Sequence, residues 1–126
     1  MNGEIFQVIF YRLQDFLPDL WNKIIFYASY TEGSYSMKFY VNLEGDNYID
    51  CFSIPNIDKK KIINMFIEFD KMISIERNNE LLKNKWNVLT MIVDSEGNMK
   101  TYFDYRNIDN NIIEYENEWK NKYLYL

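Results

Sequence analysis

The stretch from Lys23 to Pro55 constrains the fold more than any other part of the chain. Ile24 to Thr31 is rich in β-branched and aromatic residues, Glu32-Gly33-Ser34 reads as a turn, and Tyr35 to Leu43 alternates with period two. On that alternation Tyr35, Met37, Phe39, Val41 and Leu43 face one side, and Ser36, Lys38, Tyr40 and Asn42 face the other. A second turn, Glu44-Gly45-Asp46-Asn47, leads to a third expected strand from Tyr48 to Ile54, closed by Pro55. Loops this short cannot make parallel crossovers, so the strands form an antiparallel meander. The third strand mixes its faces: Tyr48, Asp50, Phe52 and Ile54 fall on one side, Ile49, Cys51 and Ser53 on the other. A bulge and burial on both faces both fit that pattern.

Helical spacing brackets the meander. Ile5, Val8, Ile9, Leu13, Phe16 and Leu17 place a first helix over Glu4 to Leu17, ended by Pro18. Asp58 is suited to cap a second helix running to about Leu82, with Ile62, Phe66, Phe69 and Ile73 on its buried stripe. Lys59, Lys60 and Lys61 oppose the dipole of that helix and point to a charge contact elsewhere. Trp86 to Val93 and Met99 to Arg106 read as a hairpin around Asp94-Ser95-Glu96-Gly97-Asn98. From Asp109 to Leu126, Ile112, Tyr115, Trp119 and Tyr123 share one stripe of a closing helix, with Glu116–Lys120 and Glu118–Lys122 as i,i+4 pairs. The order is α-β-β-β-α-β-β-α. The expected fold is α+β, a five-stranded antiparallel sheet with the helices packed on one face.

Composition then limits chemistry. At 126 residues the chain has room for a single domain, residues 1–126, and eleven Tyr, nine Phe and three Trp supply area for a core. With no His, the Ser-His-Asp and Cys-His nucleophile systems, His-ligated metals and the usual neutral-pH base are absent, so a catalytic role is not expected. Cys51 is the single cysteine and reads as a buried structural residue in a reducing compartment. The 94–98 turn is too short for an EF-hand and lacks its position-12 Glu. No metal and no cofactor are expected. The N-terminal segment carries Glu4, Arg12 and Asp15 without a basic n-region, and no apolar run approaches the roughly 20 residues that span a bilayer. A cytoplasmic protein without membrane contact is expected. Its net charge of −5 repels phosphate backbones and favours a basic protein over nucleic acid as partner. Nothing in the sequence fixes an oligomeric state.

The alternation places Tyr27, Ser29, Lys38, Tyr40, Tyr102, Asp104 and Arg106 on the sheet face turned away from the helices. Tyrosine mixed with charge makes a good binding surface; the same residues also suit cross-strand pairs on a solvated sheet. The acidic run Glu114, Glu116, Glu118 is either a solvated helix face or a contact for a basic partner. Lys38, Tyr40, Tyr102, Asp104, Glu114 and Glu118 are the candidate partner-binding residues. Trp21, Trp86, Phe103 and Trp119 are expected in the core, while Asp104 points opposite to Phe103 and Tyr105.

Several segments, taken in order, carry a family likeness. They are Leu17-Pro18-Asp19-Leu20-Trp21-Asn22-Lys23, the strand pair around Tyr30-Thr31-Glu32-Gly33-Ser34, the Trp86 strand, Gly97-Asn98-Met99-Lys100-Thr101-Tyr102-Phe103-Asp104-Tyr105, and Glu114 to Tyr123 in the closing helix. The chain resembles the YezG/EsaG-type immunity proteins, antitoxins of secreted bacterial polymorphic toxins. That resemblance implies a non-catalytic cytoplasmic protein that binds the toxic C-terminal domain, typically a nuclease, of a toxin exported by the type VII pathway. The expected mechanism is occlusion of the toxin's nucleic-acid cleft by an acidic surface. A protein-binding adaptor or structural subunit would use the same surface and is the alternative; a small carboxylate or tyrosine enzyme is a third class.

Overall fold

The computed structural model describes residues 3–45, 47–79 and 85–125. Its elements are α1 (Gly3–Leu13), a 3-10 turn (Gln14–Phe16), β1 (Lys23–Thr31), β2 (Ser34–Asn42), β3 (Tyr48–Asp50), a second 3-10 turn (Cys51–Ser53), α2 (Lys59–Asn79), β4 (Val88–Asp94), β5 (Met99–Asp104) and α3 (Ile112–Tyr123). The strands form one antiparallel sheet in the order β3-β2-β1-β4-β5. The α+β class and the expected element order are therefore observed.

Local chemistry sets the boundaries. Glu32 and Gly33 alone connect β1 to β2, and Gly33 takes φ +77°, which a side chain would strain. The β4–β5 turn closes on Asp94, whose Oδ1 accepts from the Glu96 and Asn98 amides at 2.9 and 3.0 Å. Asp58 caps α2 as expected, accepting from the Lys60 and Lys61 amides at 3.0 and 3.3 Å. The third strand is shorter than expected. The Asp50 carboxylate accepts from the Phe52 amide at 2.9 Å, turning the chain out of the ladder and seating Cys51 in the core. This departure from the sheet accounts for the mixed facing of residues 48–54. The expected end of the second helix near Leu82 and Asp46 of the second turn lie outside the described residues.

One expectation is corrected: the helices do not share a face. α1 and α2 cover the side carrying Ile24, Phe26, Met37, Phe39, Leu89 and Met91. α3 packs on the opposite side, where Tyr115, Trp119 and Leu124 close a second core over Ile25, Tyr27, Tyr40 and Val88. The reason is the apolar content of β1, where burial runs unbroken from Ile24 to Tyr30, so both faces of the central strand need cover. The domain is three layers thick: two helices, a sheet and one helix.

Candidate protein-binding surface

The sheet face read as open from sequence is roofed by α3. Tyr27 donates to Glu116 at 2.8 Å and packs edge-on, 4.7 Å between ring centroids, against Trp119, whose indole N–H donates to Thr90 Oγ1 at 2.8 Å. Tyr40 is buried beside the same indole, ring to ring at 5.7 Å. Burial, and the Glu116 carboxylate next to it, hold the Tyr27 phenol well above the ordinary tyrosine range; burial does the same for Tyr40. Both phenols are thus neutral packing groups with hydrogen-bonding tips.

Lys38 lies at the β2 side of α3. Its ammonium donates to Asp50 at 2.7 Å and sits 4.8 Å above the Phe52 ring. Partial burial pushes the Asp50 carboxyl up, but the Lys38 hydrogen bond and the Phe52 amide outweigh it, and the group is held below its ordinary value. Lys38 and Tyr40 share a small hollow of about 70 Å³ with Ser36, Glu116 and Lys120. It is large enough for ordered water and too small for a substrate.

Tyr102, Asp104 and Glu118 lie on the other side of α3, along the β5 edge. Asp104 accepts from the Tyr115 hydroxyl at 3.0 Å and from the Arg106 amide at 2.9 Å. Arg106 donates to Glu118 at 2.8 Å and stacks 4.7 Å over the Tyr115 ring. Glu118 therefore pairs across to the loop after β5, where an i,i+4 pair with Lys122 was expected, and Glu116 serves Tyr27 in place of Lys120. Tyr102 is 45% exposed, its ring 6.3 Å from that of Tyr123. Glu114 is exposed and has no side-chain partner among the described residues. The six candidates thus fall into two groups separated by α3: Lys38 with the buried Tyr40, and Tyr102, Asp104, Glu118 and Glu114 along the β5–α3 rim.

The aromatic residues expected in the core are found there. Trp86 and Trp119 are buried, and Trp21 and Phe103 are half-buried against the larger core. Cys51 is fully buried, which pushes its thiol up to about 11 and leaves it unreactive in the folded state. Among the described residues no group of three or more potential metal ligands comes together, and no helix is long and apolar enough to cross a membrane.

The YezG-like immunity protein family matches residues 3–126, and the chain belongs to that family. It is also similar to a protein of Bacillus spizizenii described as Immunity protein YezG, with 25% identity over 113 residues, covering 84% of this chain and 70% of the relative.

Proposed function

We propose that this chain is the antitoxin of a cognate secreted toxin and neutralises the toxin's C-terminal domain by binding it inside the producing cell. The observation that carries this reading is membership of an immunity protein family along nearly the whole described chain. The architecture supports it: a domain of this size with cores on both sheet faces presents a preformed surface, which limits the ordering cost of association. Its partner is a protein, of the nuclease class. The net charge of −5 supports that class, because a nucleic-acid-binding domain is basic on balance and the negative field steers the two together. Inhibition follows from steric occlusion and needs no catalytic group.

The test is co-expression with the C-terminal domain of a large secreted protein encoded beside this chain. Growth rescue and a co-purifying complex are the expected outcome. A toxic domain that neither binds nor is neutralised would exclude the antitoxin role and favour an adaptor.

A further inference from the structure

The two edges of the sheet differ. β3 is three residues long, and the Asp50 carboxylate turns the chain out of the ladder behind it. β5 runs six residues, MKTYFD, with neither Pro nor Gly, and the sheet order places no strand beyond it. A regular strand of that length at an edge is a template for another strand unless something covers it. α1 and α3 meet β5 from its two faces, through Phe6 on Phe103 and Tyr123 near Tyr102. Neither helix bonds to its backbone among the described residues.

The ladder decides which backbone groups point off the sheet. The Asp94 amide donates to the Asn98 carbonyl at 3.0 Å, just outside the Val93–Met99 pair, so that pair is a non-hydrogen-bonded one. Bonds to β4 then fall at Lys100, Tyr102 and Asp104, and the Asp104 carbonyl does accept from the Asn87 amide on that side, at 2.8 Å. The amides and carbonyls of Met99, Thr101 and Phe103 point outward. Side chains alternate independently of this: Met99 and Phe103 pack on the α1–α2 core, and Tyr102, with Lys100 and Asp104, lies toward α3.

We infer that β5 pairs antiparallel with β5 of a second copy of this chain, about a two-fold axis through Tyr102, joining two five-stranded sheets into one. An isologous contact must be self-complementary, and this strand is. A two-fold through Tyr102 sets Thr101 against Phe103 of the second copy, so that outward amides meet outward carbonyls twice over. The same axis sets Lys100 against Asp104 of the second copy and Asp104 against its Lys100, giving two opposite-charge cross-strand pairs around a central Tyr102 pair. Neighbouring registers lose this match. A two-fold through Thr101 places Asp104 opposite Asn98, and one through Phe103 places Lys100 opposite Arg106. Tyr102 and Asp104 thereby become contacts of the chain with itself, and the inference does not depend on the antitoxin reading.

The test is sedimentation velocity over a micromolar concentration series, with the full chain and its variants. Wild type is expected to sediment as a dimer that dissociates on dilution. Lys100→Glu puts like charges opposite each other in both pairs and weakens self-association at least about tenfold. Asp104→Lys does the same, and an equimolar mixture of the two variants dimerises again, because both pairs are then opposite in charge. Asp104→Lys also leaves the Tyr115 hydroxyl without its acceptor, so its melting midpoint is checked; Lys100 is exposed, and its variant stands on its own. A Tyr102→Cys variant places two thiols across a non-hydrogen-bonded pair, about 4.5 Å between Cα atoms, and oxidises to a covalent dimer faster than exposed Lys71→Cys on α2, Cys51 being buried. A wild type that stays monomeric overturns the proposal, as does a dimer indifferent to Lys100→Glu or one in which the two cysteine variants cross-link alike. A monomer that loses its toxin complex on Thr101→Pro overturns it too, and gives the edge to the toxin.

Discussion

Trp119 joins the third layer to the sheet through a single indole N–H. Its acceptor, Thr90 Oγ1, is buried in the middle of β4 and faces α3. Thr90→Val keeps the volume and strands the indole N–H, for a loss of about 1–3 kcal/mol in chemical denaturation. Trp119→Ala also removes the packing on Tyr27 and Tyr40, and a loss of about 3–5 kcal/mol is expected. The buried phenols predict the alkaline limit of stability. Tyr27, Tyr30, Tyr40 and Tyr115 are all held above the ordinary value of 10.0, chiefly by burial. A raised folded-state value favours the native state fully below 10.0 and progressively less as pH rises, because the unfolded chain ionises first. Tyrosinate absorbance should therefore show these four phenols titrating only with unfolding. Asp50 has the opposite sign. Its lowered value contributes stability above 3.8 that is lost as pH falls through the folded value, so the destabilisation caused by Asp50→Asn should shrink in acid melts.

Element by element, the strands and helices were legible because their periods differ so plainly. The alternation of Tyr35 to Leu43 assigned the faces of β2 correctly: Met37, Phe39 and Val41 lie in the core under α1 and α2, and Tyr40 lies in the core under α3. What period alone could not show was which face α3 would choose. The signal lay in β1, where Ile24-Ile25-Phe26-Tyr27 is apolar on both sides, and in the Tyr115–Trp119 stripe, which needs an apolar counterpart. The open tyrosine face became an interior, and residues chosen as contacts, Tyr40 above all, became packing. The short β3 was hidden for a different reason: an Asx turn at Asp50 competes with the ladder, and hydrophobicity does not report it. The α2 cap was legible from Asp58 alone. Asp58→Ala should cost about 1 kcal/mol, seen as a lower melting midpoint with unchanged secondary-structure content at low temperature.

For the whole molecule, charge and layering separate two faces. The α3 side is rich in tyrosine and carries the Arg106–Glu118 pair; the α2 side exposes Ile63, Ile67 and Ile75 among charged residues. On the proposed reading of a basic nuclease partner, association should slow as ionic strength rises, measured as a falling on-rate in stopped-flow mixing, because steering by a net charge of −5 acts through solvent. A rate independent of salt would remove electrostatic steering from the mechanism. The order of the layers along the chain has a consequence for synthesis. A ribosome emits α1, the sheet strands and α2 before α3, so a nascent chain ending ahead of residue 112 shows Ile25, Tyr27, Tyr40 and Val88 bare on one side of its sheet. Such a chain is a ready client for chaperones and proteases until its last helix arrives. A nonsense mutation late in the gene, one that spares every strand of the sheet, would then act by removing the protein from circulation.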